Sequence, residues 1–354
     1  MPENNKNKEK ILIVLIAGIG DLILASQAMR AIRIRFANDE LHLLTSTQGA
    51  LIAGNYNYID RVWSFPIREL REAKMIHLFD IIKLIIHLRK FRFEIVINLY
   101  RINSWFGALK MGLLFFFLKA RLKVGHGEKS FGYFLDRKTS KTIFQNRHTA
   151  DAMLELSRLI DSVPDNKGIE VFWDKNIEHR WQSLFEDHPH SKKLMIGLNP
   201  GADNPNKRWD PKHYANVADR LIESLNADII LLGGPGEEKI ANAIEARMSS
   251  PVINLAGKLT LDDLIYLISR LDLFLTNDSG PMHIAAAVHT PLVALFGPET
   301  PALFGPYAKK ELYRVIYQEL DCRPCGKKRC EHPLCLDLIT PQDVYEKCLE
   351  LLNR

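Results

Sequence analysis

The chain has 354 residues, of which 47% are hydrophobic and 25% are charged, and its formal net charge is +5. This length is typical of about two domains, and the composition excludes an intrinsically disordered chain. The mild basicity suits an acidic substrate or an anionic membrane surface, and it does not indicate nucleic acid as a partner.

Two apolar stretches bear on where the protein acts. The run Ile11–Ile16 is too short for a secretory signal and leads into a glycine turn. The segment Trp105–Leu118 predicts a buried or interfacial helix, because it is shorter than the about 20 residues that a membrane span needs. We therefore expect a cytoplasmic protein in peripheral contact with the inner membrane, whose five cysteines form no disulfide framework.

The N-terminal half alternates predicted strands with predicted helices. The strands are expected at Lys10–Ile16, Leu41–Leu44, Val62–Phe65, Glu94–Asn98 and in a segment ending at Val124-Gly125. The helices are expected at Leu22–Arg35, Met75–Lys90, Trp105–Leu118 and Ala150–Ile160. This alternation is typical of a doubly wound α/β domain with a mostly parallel sheet.

The C-terminal half repeats the pattern after a turn-rich stretch at 163–168. The strands are expected at Leu194–Leu198, Ala227–Leu232, Val252–Asn254, Leu273–Thr276 and Leu292–Phe296. The helices are expected at Asn176–Glu186, His213–Ser224, Glu237–Arg247 and Leu261–Ser269. We therefore predict two Rossmann-like domains, 1–165 and 166–354, with a cleft between them and ligands bound beyond the carboxyl ends of the strands.

The first strand is followed by Gly18-Ile19-Gly20-Asp21. Position 23 is isoleucine, so the third glycine of the dinucleotide fingerprint is missing and the signal for NAD is weak. Asp21 has two interpretations: a general base that accepts a proton from an incoming hydroxyl, or a residue that stabilises the start of the following helix.

A turn that suits a phosphate follows the predicted strand at Leu273–Thr276. It reads Asn277-Asp278-Ser279-Gly280, and Pro281 then opens a small-residue helix that carries His283. The N-terminus of a helix presents backbone N–H groups and a partial positive charge, which bind anions. The alternative is a capped α/β turn with a structural histidine.

Two further loops of the C-terminal half end predicted strands. The first contains Asn199-Pro200-Gly201 and the basic pair Lys207-Arg208, and the second contains Gly233-Gly234-Pro235-Gly236-Glu237. A lysine here neutralises a diphosphate leaving group, whereas glycines admit a ligand close to the backbone and a glutamate binds ribose or sugar hydroxyls. A solvated basic loop and a helix-start glutamate are the structural alternatives. Because all three loops end strands of one sheet, we expect them to converge on a nucleotide diphosphate.

Together these motifs resemble glycosyltransferase family 9, the lipopolysaccharide heptosyltransferase family, over about residues 10–350. The resemblance rests on Gly20-Asp21, Asn199-Pro200-Gly201, Lys207-Arg208-Trp209, Gly233-Gly234-Pro235 and the run from Asn277 to His283. It implies a GT-B fold and inverting, metal-independent transfer of heptose from ADP-heptose to the inner core of lipopolysaccharide, with no cofactor required for catalysis.

The resemblance also implies roles for individual residues. Asp21 takes the position of the catalytic base, in an N-terminal domain that binds the acceptor. The C-terminal domain binds the nucleotide sugar through Asn199, Gly201, Lys207, Gly234, Glu237, Asp278, Ser279, Gly280 and His283.

A cysteine-rich segment at 322–335 is separate from these motifs. Its spacing, C-x2-C-x4-C-x4-C, resembles a closed structural metal site for zinc or iron, formed by Cys322, Cys325, Cys330 and Cys335. The alternative is four reduced thiols in a surface loop. Similar cysteine patterns occur in protein heptosyltransferases, so a protein or another glycan is an alternative acceptor. A non-catalytic nucleotide-binding assembly protein of the same fold is a further alternative.

Overall fold

The computed structural model describes residues 8–66, 76–145, 147–186, 193–325 and 330–353. The chain divides into two compact units, Met1–Lys167 and Gly168–Arg354. In the described residues each unit contains one parallel six-stranded sheet with helices packed on it. The predicted α/β class with two Rossmann-like domains is therefore confirmed.

The sheet of the N-terminal unit has the order β3-β2-β1-β4-β5-β6. Its strands are β1 Lys10–Leu15, β2 Glu40–Ser46, β3 Arg61–Phe65, β4 Ile95–Asn98, β5 Leu122–Gly125 and β6 Arg137–Lys138. The helices are α1 Ile19–Arg35, α2 Thr47–Ala53, α3 Ile76–Arg89, α4 Trp105–Leu118 and α5 Thr149–Ser157. The direction of strand addition reverses between β1 and β4, which makes this the switch point where such sheets bind ligands.

The sheet of the C-terminal unit has the order β12-β11-β10-β7-β8-β9, so its switch point lies between β7 and β10. Its strands are β7 Met195–Asn199, β8 Asp228–Leu231, β9 Ile253–Asn254, β10 Leu273–Asn277, β11 Leu292–Phe296 and β12 Tyr313–Tyr317. The longer helices are α6 Glu178–Glu186, α7 Pro211–Leu225, α8 Glu238–Glu245, α9 Leu261–Ser269 and α10 Gly280–Ala287. The short helices α11 Pro301–Phe304 and α12 Leu334–Asp337 precede the last helix, α13 Pro341–Leu352.

The central strands form because their residues are apolar without interruption. All five residues from Ile11 to Leu15 are fully buried, and so are all five of β11. A parallel sheet is covered by helices on both faces, so its strands lack the polar positions of a half-exposed strand. The predicted strands and helices are confirmed with shifts of a few residues at their ends, and Met75, the first residue of one predicted helix, lies outside the described residues. No described helix has the length and apolarity to cross a membrane.

Among the elements that were not predicted are β12, β6, α2 and the short helices α11 and α12. The edge strand β12 has four residues only partly buried, so it lacks the continuous apolar run that identifies the central strands. The strand β6 is two exposed residues long and is defined by its pairing with β5. The helix α2 begins after Ser46, a residue type favoured at helix N-termini, whose hydroxyl accepts a hydrogen bond from the backbone N–H of Gly49 at 3.0 Å.

Gly197 in the middle of β7 provides a test of this core. A Cβ atom at this position would overlap Leu271 and lie 3.1 Å from Phe274 Cδ2. We expect Gly197→Ala to lower the free energy of unfolding by about 1–3 kcal/mol, measured by urea titration, because a packed core resists added volume. Gly54→Ala is the control: its Cβ would lie 3.6 Å from its nearest neighbour, so the change should be within about 0.5 kcal/mol. An equal loss of unfolding free energy in both variants would contradict the packing argument.

Candidate functional site

Two asparagines end the strands that flank the switch point of the C-terminal unit. Asn199 ends β7 and pairs in register with Thr276, and Asn277 ends the neighbouring strand β10. The fully buried Asn277 amide donates to the carbonyl oxygen of Pro200 at 2.8 Å. Its oxygen accepts from the Trp209 backbone N–H at 3.3 Å and from the Tyr214 hydroxyl at 3.1 Å. One side chain therefore holds both ends of the loop between β7 and α7.

That loop places Lys207 beside Asp278, which is the residue after β10. The Lys207 Nζ atom lies 2.7 Å from Asp278 Oδ2, and their side chains are 20% and 5% exposed. Burial raises the pKa of Asp278, and the adjacent ammonium of Lys207 partly counteracts that rise. Within the loop, the Asn204 side chain accepts from the Asn206 backbone N–H at 3.1 Å, which orders the turn that ends at Lys207. An ammonium is thus held beside the turn that follows β10.

This turn leads directly into α10. Gly280 is the first residue of the helix and Ser279 precedes it, as the sequence predicted for a helix opened near Pro281. The first N–H groups of any helix have no partner inside the helix, so this end attracts an anion. His283 lies one turn further on and is buried. The structure therefore brings a lysine ammonium and a helix N-terminus to the same turn.

The second glycine loop meets the first through Glu237. The Gly234 backbone N–H donates to Glu237 Oε2 at 2.8 Å. The carboxylate occupies the space that a Cβ atom at Gly201 would fill, so only glycine fits there while Glu237 keeps this position. Burial raises the pKa of Glu237, and the Gly234 hydrogen bond and the charge of Arg208 partly oppose this rise. The loops at 199–208 and 233–237 are therefore in direct contact, and the loop at 276–283 joins them through the Lys207–Asp278 pair.

Asp21 lies in the first turn of α1, at the switch point of the N-terminal unit. The end of β2 supports the backbone that precedes it: the Thr45 hydroxyl donates to the Leu15 carbonyl at 2.9 Å, and the Ser46 hydroxyl donates to the Ala17 carbonyl at 2.7 Å. The Asp21 side chain is partly exposed. A carboxylate is thus placed at the edge of the sheet where ligands of this fold bind.

The four cysteines of the predicted site differ in exposure. Cys322, Cys325 and Cys330 are exposed, whereas Cys335 is buried. Burial raises the pKa of the Cys335 thiol and so disfavours the thiolate that a metal ligand needs. In the described parts of the chain no group of three or more His, Cys, Asp or Glu side chains is arranged to hold a metal ion. Cys322 and Cys325 lie close enough to Cys335 to raise the pKa of its thiol further. The metal site that the spacing predicted therefore stays a prediction.

The sequence did not predict the contacts of Glu237 with Gly201 and Gly234, and the protonation of Glu237 gives a test. Burial raises the pKa of Glu237 in the folded protein, so the wild type loses stability as the pH rises through that folded value. The glutamine in Glu237→Gln does not ionise. We therefore expect the free energy of unfolding of this variant to equal that of the wild type below about pH 4 and to exceed it near pH 7, as measured by urea titration at each pH.

The neighbouring Glu238 is a control of opposite sign. Hydrogen bonds from the backbone N–H groups of Glu238 and Gly236 lower the pKa of this exposed carboxyl. Its contribution to stability is present above its unfolded pKa and disappears as the pH falls through the folded one. Glu238→Gln should therefore be less stable than the wild type near pH 7. The same sign for both variants would contradict the assignment of burial at Glu237.

Comparison with known proteins places this geometry in a family. Lipooligosaccharide heptosyltransferase 2 of Campylobacter jejuni serotype O:6 is 27% identical over 351 residues, which is 97% of this chain and 99% of that protein. The protein of the same name from serotype O:2 is 37% identical over 168 residues, 46% of this chain and about half, 52%, of its own length. The solved structure of E. coli ADP-heptose lipopolysaccharide heptosyltransferase II has 25% identity and a TM-score of 0.74, covering 97% of this chain and 98% of that chain.

These likenesses confirm the predicted GT-B fold class. The model of the family described as glycosyltransferase family 9 (heptosyltransferase) matches residues 81–335, well over half of the chain. That range contains the three converging loops of the C-terminal unit. The chain therefore belongs to glycosyltransferase family 9 and is a glycosyltransferase.

Proposed function

We propose that this enzyme transfers heptose from ADP-heptose to the inner core of lipopolysaccharide, with inversion at the anomeric carbon and without a metal ion. The observation that carries the proposal is the Lys207–Asp278 pair beside the N-terminus of α10, where a diphosphate meets positive charge. The choice of sugar and acceptor is supported by the names of the similar proteins, which are heptosyltransferases of lipopolysaccharide or lipooligosaccharide.

The C-terminal unit binds the donor in this proposal. Lys207 and the first N–H groups of α10, near Ser279 and Gly280, bind the diphosphate, and Asp278 keeps the ammonium in place. Glu237 accepts hydrogen bonds from hydroxyl groups of the ribose or sugar. The backbone at Asn199, Gly201 and Gly234 lies against the nucleotide, and His283 completes the pocket from the first turns of the helix.

Asp21 serves as the general base. The acceptor hydroxyl loses its proton to the Asp21 carboxylate as its oxygen attacks the anomeric carbon, and the bond from that carbon to the diphosphate oxygen breaks. A single displacement from the opposite face inverts the configuration. The electron pair leaves with ADP, whose growing negative charge is stabilised by Lys207 and the helix N-terminus, two preorganised groups that supply this stabilisation without a metal.

The direct experiment is a transfer assay with purified protein, ADP-heptose and a heptose-deficient core acceptor, in the presence of a chelator. Mass spectrometry should show the acceptor gaining one heptose, and NMR should show an inverted anomeric configuration. Calorimetric titration with ADP, UDP and NAD should show binding of ADP alone. Transfer from UDP-sugars instead, or to a protein acceptor instead, would contradict the proposal.

Asp21→Asn tests the base. The amide cannot accept the proton, so kcat should fall by about 10²–10⁴-fold while the affinity for ADP, measured by calorimetry, stays within about twofold. Asp151→Asn is the matched control, since Asp151 also lies in the first turn of a helix of the same unit, α5. If Asp21→Asn retained wild-type kcat, Asp21 would be a helix-start residue only.

Lys207→Gln tests the diphosphate contact. Glutamine removes the charge but keeps an amide N–H that reaches toward the buried Asp278, which limits the loss of stability. We expect weaker ADP binding and a fall in kcat/KM of about 10²-fold, because leaving-group stabilisation is lost. Lys212→Gln is the control, as Lys212 forms an exposed pair with Asp210 at 3.2 Å. Unchanged kinetics in Lys207→Gln would remove this lysine from the site.

A further inference from the structure

Helices α3 and α4 of the N-terminal unit contact each other and carry nine exposed apolar side chains. We call this set the apolar ridge, and its members are between 45% and 69% exposed: Phe79, Ile82, Ile86, Trp105, Phe106, Leu109, Leu113, Phe116 and Phe117. Tyr133, 57% exposed, lies beside it with its ring tilted and 6.4 Å from that of Trp105. A contiguous exposed apolar surface on a soluble unit marks an interaction site.

The ridge is not required by the packing of α4. The opposite face of the same helix supplies the core contacts, through the buried Ala108, Leu114, Phe115 and Leu118. A helix at the surface of a globular unit normally has polar residues on its outer face. On α4 the outer positions are instead aromatic or aliphatic with one exception, Lys110, whose Nζ lies 4.3 Å from the centre of the Phe106 ring. The folding of the unit therefore does not explain these side chains.

Basic residues outnumber acidic ones in the segment that carries the ridge. The segment 76–121 contains eight Lys and Arg residues against two Asp and Glu residues, whereas the whole chain has a net charge of only +5. Lys83 lies on α3, Lys90 and Lys119 directly follow α3 and α4, and all three are exposed. One of the two acids, Glu94, lies 3.5 Å from Arg121 and is thereby compensated. Apolar side chains within a cationic rim complement a surface that is apolar inside and anionic outside.

We propose that the apolar ridge docks the enzyme on an anionic lipid bilayer. The 14-residue helix α4 would lie in the plane of the interface, with its aromatic side chains among the acyl chains and the lysines at the headgroups. A second copy of the chain fits less well, because a twofold interface would place the same cationic rim against itself. The inference is independent of the donor and acceptor, since docking is measured with neither present.

Vesicle flotation of the full chain tests the proposal. The protein should float with vesicles of phosphatidylethanolamine and phosphatidylglycerol, remain unbound with phosphatidylcholine alone, and bind more weakly in about 1 M salt, where the Debye length is about 3 Å. Phe116→Ser with Phe117→Ser should reduce the bound fraction about tenfold or more, and Lys83→Glu should also reduce it. Leu51→Ser with Val163→Ser is the control, because both residues are exposed, at 63% and 70%, but lie outside α3 and α4.

Trp105 reports insertion directly. It is 63% exposed, and the other described tryptophans are more buried. Vesicles with brominated acyl chains should quench wild-type fluorescence, and Trp105→Phe should lose this quenching while it still floats.

Flotation unaffected by the ridge substitutions, or equal binding to neutral vesicles, would overturn the proposal. So would a dimer in sedimentation equilibrium that the ridge substitutions dissociate, because the second copy would then be the occupant. A variant that lacks transferase activity but still docks would separate this inference from the proposed function.

Discussion

The buried amide of Asn277 is the constraint on which the geometry of the C-terminal site depends. It lies at the switch point between β7 and β10, and its two polar atoms bind backbone at both ends of the loop between β7 and α7. A buried amide is costly unless both its oxygen and its nitrogen are hydrogen-bonded, so the loop from β7 can close in only a few ways. The position of Lys207 follows from that closure, since it lies between the two contacts.

The pair of Lys207 and Asp278 also sets a condition on the ligand. Asp278 is nearly fully buried and its carboxylate depends on the lysine ammonium for compensation. An anion that approaches Lys207 therefore competes with a carboxylate already in contact. A weakly charged group gains little from this exchange, whereas a diphosphate carries several charges and also engages the N–H groups at the start of α10. In the proposed function, Asp278 therefore contributes to selectivity for a diphosphate as well as to the position of Lys207.

Much of the fold could be predicted from the sequence, because buried parallel strands consist of uninterrupted apolar residues. Ile11–Leu15 and Leu292–Phe296 are the clearest examples. The convergence of three loops also follows from the sequence, since the carboxyl ends of parallel strands lie at one edge. The individual contacts do not follow. Nothing in the local sequence indicates that Lys207 meets Asp278, or that the partly exposed run Tyr313–Tyr317 adds an edge strand.

The contact between Gly201 and Glu237 has a consequence for how this family varies. The two positions are 36 residues apart in the sequence, yet the carboxylate of one fills the side-chain space of the other. A larger residue at 201 is compatible with this loop only if residue 237 becomes shorter or turns away. Homologues should therefore exchange these two residues jointly, and a glutamate at the second position should predict a glycine at the first. Residues 201 and 237 are therefore expected to covary.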